Sequence, residues 1–510
     1  QKQLRCFEFR THLYSALSGL LNLRYVHPWA ALLRRLPLAI IFRAVGAQIP
    51  VTTFARASKA YRTTLVTPDT TFPPKTRGHL LRVLGLGFGL AVIIGNTIGA
   101  GIFRTPGTIA EHLPNVWLFL GVWVVGGIYA LLGSISYAEL GAMIPRSGGQ
   151  YVFARHAIGE YAGFIVGWSD WLSTVGSTAA VALVIGSFSG ALFPGLSSSI
   201  AALGVASAVT VFFGLLQWRG IAMGSTAQNI TSLLKALAFV VLIVAAFMFG
   251  SGGAFYQPQT QTGLVGWTLV TAIVLSLQAA IYTYDGWYGI VYFSEEVTNP
   301  GVDVPRSIIG GVLAVIAIYL LVNIGFLYVL PMSQLVGKDF AAGEVANVIF
   351  GRYGDSVFRW LTIVSMLSTI NACHLMATRV LFAMSRDGLF LRRASNVNKG
   401  GTPALALFLS VAGSLFFVVF GQTFEKVITV VAFFFVANYS LSFISVFVLR
   451  RREPEKERPY RAWGYPWTTG VALIGSIAFL IGAIASDTRN SVYALAMLGV
   501  SYPLFRLVRR

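Results

Sequence analysis

The sequence predicts an all-α polytopic membrane protein of twelve transmembrane helices, and three observations carry that reading. Charge is scarce: Asp, Glu, Lys and Arg make up 11% of the 510 residues, against about 25% in an ordinary globular chain. Hydrophobic residues make up 55% and aromatic ones 13%, and the mean hydropathy is +0.70. Finally, the apolar residues fall into twelve runs near the ~20 residues that one bilayer crossing requires.

In chain order the runs lie near 84–103, 117–142, 162–192, 200–216, 227–249 and 267–294, then 308–330, 357–384, 404–421, 427–449, 468–486 and 491–506. Each is bounded by a short polar loop. Taking alternate loops, one side holds seventeen Lys and Arg residues, among them Arg146, Arg155, Arg219, Arg306, Arg386 and Arg450. The other holds five: Arg104, Lys338, Arg352, Lys426 and Arg489. Basic residues accumulate in cytoplasmic loops, so both termini are expected in the cytoplasm of a plasma (cell inner) membrane protein. One missed span would scramble that alternation.

The net charge of +19 does not point to nucleic acid. Residues 1–80 carry twelve Lys and Arg against Glu8 and Asp69, and most of the rest lies in membrane-flanking loops. The most apolar part of this extension, "ALLRRLPLAIIFRAV", is interrupted by Arg34, Arg35 and Arg43 and cannot span. Its composition suits a transit-like segment, a mis-assigned reading frame or a disordered basic arm, and it is expected to stand apart from a transmembrane domain over 81–510. Cys6 and Cys373 are the two cysteines. They provide neither a disulfide framework nor a thiolate metal set, and no metal or cofactor is implied.

Two spans carry interruptions that a purely structural helix would not want. The first span contains "IGNTIGAGIF" (94–103), and the sixth contains "IYTYDGWYG" (281–289), with Asp285 and Gly286 at mid-membrane. If spans one to five and six to ten are two halves, the breaks occupy matching positions, which in an inverted-repeat carrier marks the transport site. Unwinding a turn frees N–H and C=O groups that lipid cannot satisfy and a polar ligand can. The N-terminal ends of half-helices suit a carboxylate and freed carbonyls suit an ammonium, so an α-amino acid matches both. Gly99 and Gly101 alone would equally suit a close helix crossing. Asp285 adds weight, since a mid-membrane carboxylate costs about 2.5 to 3.5 kcal/mol and therefore faces a cavity or a partner.

Five stretches together resemble amino acid permeases of the amino acid, polyamine and organocation superfamily, nearest its L-amino-acid transporter-like branch. They are "IGAGIF" (98–103), "YAELGAMIPRSGGQYVFARHAIGEYAGFIVGW" (137–168), "YDGWYGIVYFSEEVTNPGVDVPRSI" (284–308), "SRDGLF" (385–390) and "RPYRAWGYP" (458–466). The resemblance covers about 82–508. It implies two inverted five-helix repeats, broken helices 1 and 6, and two added C-terminal helices. It further implies that the backbone of the first break, at Ile98, Gly99, Ala100 and Gly101 with Thr97 beside them, binds the substrate's carboxylate and amine. Such permeases often carry a small hydroxyl residue where this chain has Ala100, so only backbone contacts are expected there.

In the sixth helix the resemblance makes Tyr282 an aromatic gate, followed by Thr283, Tyr284 and Asp285. Asp285 stands where the branch usually has a small residue. It either reads a cationic or polar substrate side chain, or joins proton coupling or a hydrogen-bond network, or pairs with a backbone N–H. The resemblance also puts Lys235, in "NITSLLKALAFVV", near the first break, its ammonium replacing the sodium ion of related carriers; the alternative is snorkelling to the interface. A lysine held there can exchange protons, which favours proton coupling or sodium-independent exchange.

Other polar residues weigh less. Asp170 either pairs with Lys235 or serves a structural network. Glu139, Glu295, Glu296 and Arg379 lie at helix ends as latches or topology residues, His374 fits a hydrogen-bonded core position better than a relay, and Trp287 fits packing. A carrier of polyamines or other organic cations with the same fold is the alternative function. A membrane-embedded enzyme fits poorly, because the short basic loops lack HExxH, DxD-like or GxSxG patterns. The expected partners are a small amino acid, the bilayer and protons. The outer loops offer no cysteine to an accessory subunit, whose existence the sequence leaves open.

Overall fold

A computed structural model describes residues 80–508, apart from 256–264, 339, 422, 423 and 487. The basic extension, save its last residue, lies outside the described residues. The chain that follows is helical. Among the described residues no strand forms, only isolated bridges between Leu84 and Val297 and between Val397 and Pro403.

The helices in order are α1 (Leu86–Thr97), α2 (Gly101–His112), α3 (Val116–Met143), α4 (Gln150–Ala157), α5 (Glu160–Leu192), α6 (Ser199–Trp218), α7 (Ile221–Phe249) and α8 (Trp267–Thr283). They continue with α9 (Pro300–Val329), α10 (Met332–Leu335), α11 (Ala341–Phe350), α12 (Gly354–Arg386), α13 (Ala404–Gly421), α14 (Phe424–Arg452), α15 (Trp467–Ser486) and α16 (Thr488–Val508). Among the described residues, ten helical stretches are long and apolar enough to cross a bilayer, or eleven when α1 and α2, bent by 43° at their junction, count as one broken span. The first interruption therefore forms as expected, although helix resumes beyond it to His112 rather than ending near 103. The run expected over 267–294 is α-helical only to Thr283. At 17 residues and ~1.5 Å per residue, α8 falls short of the ~30 Å hydrocarbon layer.

Local chemistry explains several boundaries. Asn115 caps α3, its Oδ1 accepting from the N–H groups of Trp117 and Leu118 at 3.0 and 3.1 Å. Ser198 caps α6 through the Ala201 N–H. Such caps satisfy donors that a helix start leaves open.

Lipid provides no hydrophobic drive between helices, so small residues and shape decide the packing. α5 packs against α12, α14, α6, α13 and α4, and α9 packs against α3 and α1. The seams are lined by glycine: a Cβ on Gly141 of α3 would come within 2.8 Å of Val304, and one on Gly311 of α9 within 2.6 Å of Ile93. The rings of Trp123 on α3, Tyr284 at the residue that ends α8, and Tyr319 on α9 pack with centroids 5.0 to 6.0 Å apart.

The sequence motifs meet at one end of this bundle. Glu139 accepts from Arg450 at 2.8 and 2.6 Å, from Arg458 at 3.1 Å and from the Ala462 N–H at 2.7 Å, which joins α3 to the loop after α14. Glu296 forms a two-pronged pair with Arg379 of α12, both bonds 3.0 Å. Glu295 pairs with Arg386 at 2.8 Å, and Asp387 with Arg146 and Arg155 at 2.9 and 3.1 Å. The helix-end acids are thus pairing partners, and the loop after the second break is fastened to α12.

The Arg379–Glu296 pair is 1% and 0% exposed, whereas Lys338–Glu344 is 45% and 42% exposed. Removing one partner of a buried pair strands the other charge, at about 3–5 kcal/mol, while an exposed pair contributes about 0–1 kcal/mol. Arg379→Ala is therefore expected to lower the melting temperature in detergent sharply and Lys338→Ala hardly at all, as read by thermal unfolding of the purified proteins.

Candidate functional site

Both interruptions are built from the backbone outward. In the first, the Ile98 N–H still reaches Ile94 O at 3.1 Å, the Gly99 N–H turns back to Thr97 O at 2.9 Å, and α2 starts at Gly101 with no side chain capping it. In the second, α8 ends at Thr283, the Asp285 N–H bonds to Tyr282 O at 3.1 Å, and the chain resumes as a 3-10 turn over Gly289–Phe293. Gly286 has φ +106°, and a Cβ there would lie 2.6 Å from Asn96 Nδ2 and 3.0 Å from Thr97 N. That position needs glycine for its conformation and for the approach of the two breaks.

The breaks touch. Asn96 Nδ2 donates to Gly286 O at 3.3 Å, and a Cβ on Gly101 would stand 3.0 Å from the Thr283 side chain. Thr283 Oγ1 lies 2.7 Å from Thr105 Oγ1. The freed carbonyls have donors. Lys235 Nζ, buried on α7, donates to Gly95 O at 2.7 Å and to Ile98 O at 2.5 Å, and lies 3.2 Å from Thr369 Oγ1. Lys235 therefore sits at the first break and does not snorkel. Tyr319 of α9 places its hydroxyl 2.8 Å from Thr97 O and 3.0 Å from Thr283 O.

A cavity of about 50 Å³ lies where the breaks meet. Of the residues expected to bind substrate, Thr97, Gly99, Ala100, Gly101, Tyr282, Thr283 and Asp285 line it. Gly99 faces open space, since a Cβ there would meet only Thr369 Oγ1 at 3.9 Å. Ile98 is fully buried and offers its carbonyl to Lys235. Tyr284 turns into the core and donates to Trp123 O at 3.2 Å. Thr97 Oγ1 and Asp285 Oδ1 are buried without a hydrogen-bond partner among the described residues. Buried polar atoms are normally paired, so these two mark where a ligand's polar groups can go.

The far wall was not anticipated from sequence. Thr174, Ser177 and Val181 of α5 and Thr369, Cys373 and Met376 of α12 line the cavity, as do Asn96, Tyr288 and Phe435. Each triplet follows helical spacing, one face of a long span. Small polar residues within long apolar runs were the available signal, but such residues also serve helix contacts.

Asp170 does not pair with Lys235. Its carboxylate accepts from the Tyr292 hydroxyl at 2.7 and 3.0 Å, Gln150 Nε2 donates to that hydroxyl at 3.4 Å, and Tyr137 donates to Gln150 Oε1 at 2.8 Å. His374 Nε2 lies 3.2 Å from Thr210 O, away from the cavity. Trp287 packs on Tyr137, with centroids 4.8 Å apart.

Comparison with known proteins matches residues 88–502 to the amino acid permease family. The serine/threonine exchanger SteT of Bacillus subtilis (strain 168) is 30% identical over 423 residues, covering 81% of this chain and 93% of SteT. The b(0,+)-type amino acid transporter 1 of Mus musculus is 27% identical over 402 residues, covering 75% of this chain and 79% of that protein. The Asc-type amino acid transporter 1 of Mus musculus is 29% identical over 399 residues, with 76% and 73% covered.

The contact between Gly101 and Thr283 leaves no space for a branched side chain. Gly101→Val is expected to abolish substrate uptake in reconstituted vesicles while membrane insertion and expression persist. Uptake at the wild-type rate in that variant would show that the breaks do not form the site.

Proposed function

The chain belongs to the amino acid permease family, whose relatives above are transporters and exchangers rather than enzymes, and we propose that it carries α-amino acids by sodium-independent alternating access. One observation carries this reading: the two interruptions meet at a single cavity, and a lysine ammonium already occupies the carbonyls that a coupling cation would use. The substrate carboxylate faces the uncapped start of α2, and its ammonium faces the carbonyl-rich side of the breaks. Tyr282 closes over it while the two halves of the bundle rock about the site.

In this reading α1 with α2 form one crossing and α8 with the turn after it another. That makes twelve crossings: two inverted repeats of five and two C-terminal helices, with both termini in the cytoplasm of a plasma membrane protein. A free sodium ion at Gly95 O and Ile98 O would stand within about 4 Å of the Lys235 charge in a low-dielectric setting, where repulsion is strong. Uptake into proteoliposomes should therefore be equal in sodium and choline media. A strict sodium requirement would refute the assignment of Lys235. Dependence on internal amino acid would identify exchange, and dependence on an imposed pH gradient would identify proton coupling.

Asp285 Oδ1 supports selection of a polar or cationic side chain, and it equally supports the alternative of a polyamine or other organic cation. Ligand-induced thermal stabilisation separates these readings. Amino acids with cationic or hydroxyl side chains should stabilise the wild type, and only they should lose that effect in Asp285→Asn. Stabilisation by polyamines without any carboxylate requirement would favour the alternative.

A further inference from the structure

Among the described residues, Tyr319 is the one side chain outside the two breaks whose hydrogen bonds reach both of them. Its hydroxyl lies 2.8 Å from Thr97 O in the first and 3.0 Å from Thr283 O in the second. Thr97 and Thr283 line the cavity, whereas Tyr319 stands behind them, 0% exposed, its ring packed on Trp123 and Tyr284. One turn along α9, Asn323 Nδ2 donates to Tyr319 O at 2.8 Å. A phenol has a single proton, so the two carbonyls share it or take it in turn. Either way, both backbones are held within hydrogen-bonding distance of one oxygen atom.

We propose that Tyr319 is a positioning residue that sets the separation of the two breaks and thereby selects α-amino acids over β-amino acids. This rests on the function proposed above, in which the substrate's carboxylate and ammonium engage both breaks. A β-amino acid carries one more methylene between those groups, so a site of fixed separation suits one spacing and disfavours the other. Without the hydroxyl the ring still fills its place, but the two backbones are no longer pinned to a common atom.

The test is uptake by reconstituted wild type, Tyr319→Phe and Trp123→Phe, comparing an α-amino acid with its β isomer. In Tyr319→Phe the KM for the α isomer should rise and kcat remain near wild type, so that the α/β ratio of kcat/KM falls by about tenfold, the discrimination that one methylene carries. Trp123→Phe alters packing on the same ring but keeps the hydroxyl, and should keep the ratio. Should Tyr319→Phe insert poorly, the α/β ratio of kcat/KM still reads the effect, because that ratio does not depend on how much protein is inserted. An unchanged ratio, an equal fall for both isomers, or an equal loss in Trp123→Phe would each overturn the proposal. A wild type that takes up no amino acid would overturn the proposed function and this inference with it, whereas normal wild-type uptake with an unchanged Tyr319→Phe overturns this inference alone.

Discussion

A carbonyl or amide group left unpaired within hydrocarbon costs several kcal/mol, and this penalty governs the whole arrangement. Two helices give up their regular bonding side by side, and the protein supplies donors from neighbouring helices to make that tolerable. Lys235 serves Gly95 and Ile98, Thr369 adds a bond to Gly95 O, and Tyr319 serves Thr97 and Thr283. Around the first break the support extends along a polar seam. Ser232 donates to Ala91 O at 2.7 Å, Gln228 reaches the same oxygen at 3.2 Å, and both bond to Ser368. The glycines allow the unwinding, and side chains on α7, α9 and α12 hold it in place.

The opposite problem is met at the end of the bundle where the motifs gather. Glu139 and Glu296 there are buried but each is bound two-pronged by one guanidinium group, in geometry that suits bidentate bonding. Glu139 alone brings together α3, the end of α14 and the backbone of the loop before α15. Glu295 and Glu296 fasten the segment after the second break to α12. Movement of that segment relative to α12 therefore requires rupture or rotation of these pairs, which sets them apart from exposed charges of little energetic weight.

Much of this was legible in the sequence because the signals were strong and local. Apolar runs revealed the helices, glycines within two of them revealed the breaks, and Asp285 and Lys235 stood out as charges where charge is costly. The end of α8 at Thr283 was less visible, because Trp287, Tyr288 and Ile290 to Phe293 continue the apolar pattern through a segment that is no longer α-helix. The cavity's far wall was hidden because Thr174, Ser177 and Thr369 look like ordinary helix-contact residues. Asp170 and Lys235, opposite charges whose pairing the sequence allowed, have different partners. Tyr292 and Gln150 solve the burial of Asp170 with neutral groups, and no periodicity in one segment reports such long-range pairing. Tyr319 was missed for the same reason: a tyrosine in an apolar span reveals nothing until the two carbonyls facing it are known.

Lys235 differs from a bound metal ion in being covalently part of the chain. Its nitrogen cannot leave for either compartment, so it completes the site without travelling, and only a proton on it can be exchanged. Under the proposed function, for a zwitterionic cargo exchanged without a proton, each crossing then transfers no net charge and the electrical potential across the membrane does no work on the cycle, whereas a cationic cargo or a coupled proton would feel that potential. For the zwitterionic exchange cycle, direction would be set by the concentrations on the two sides.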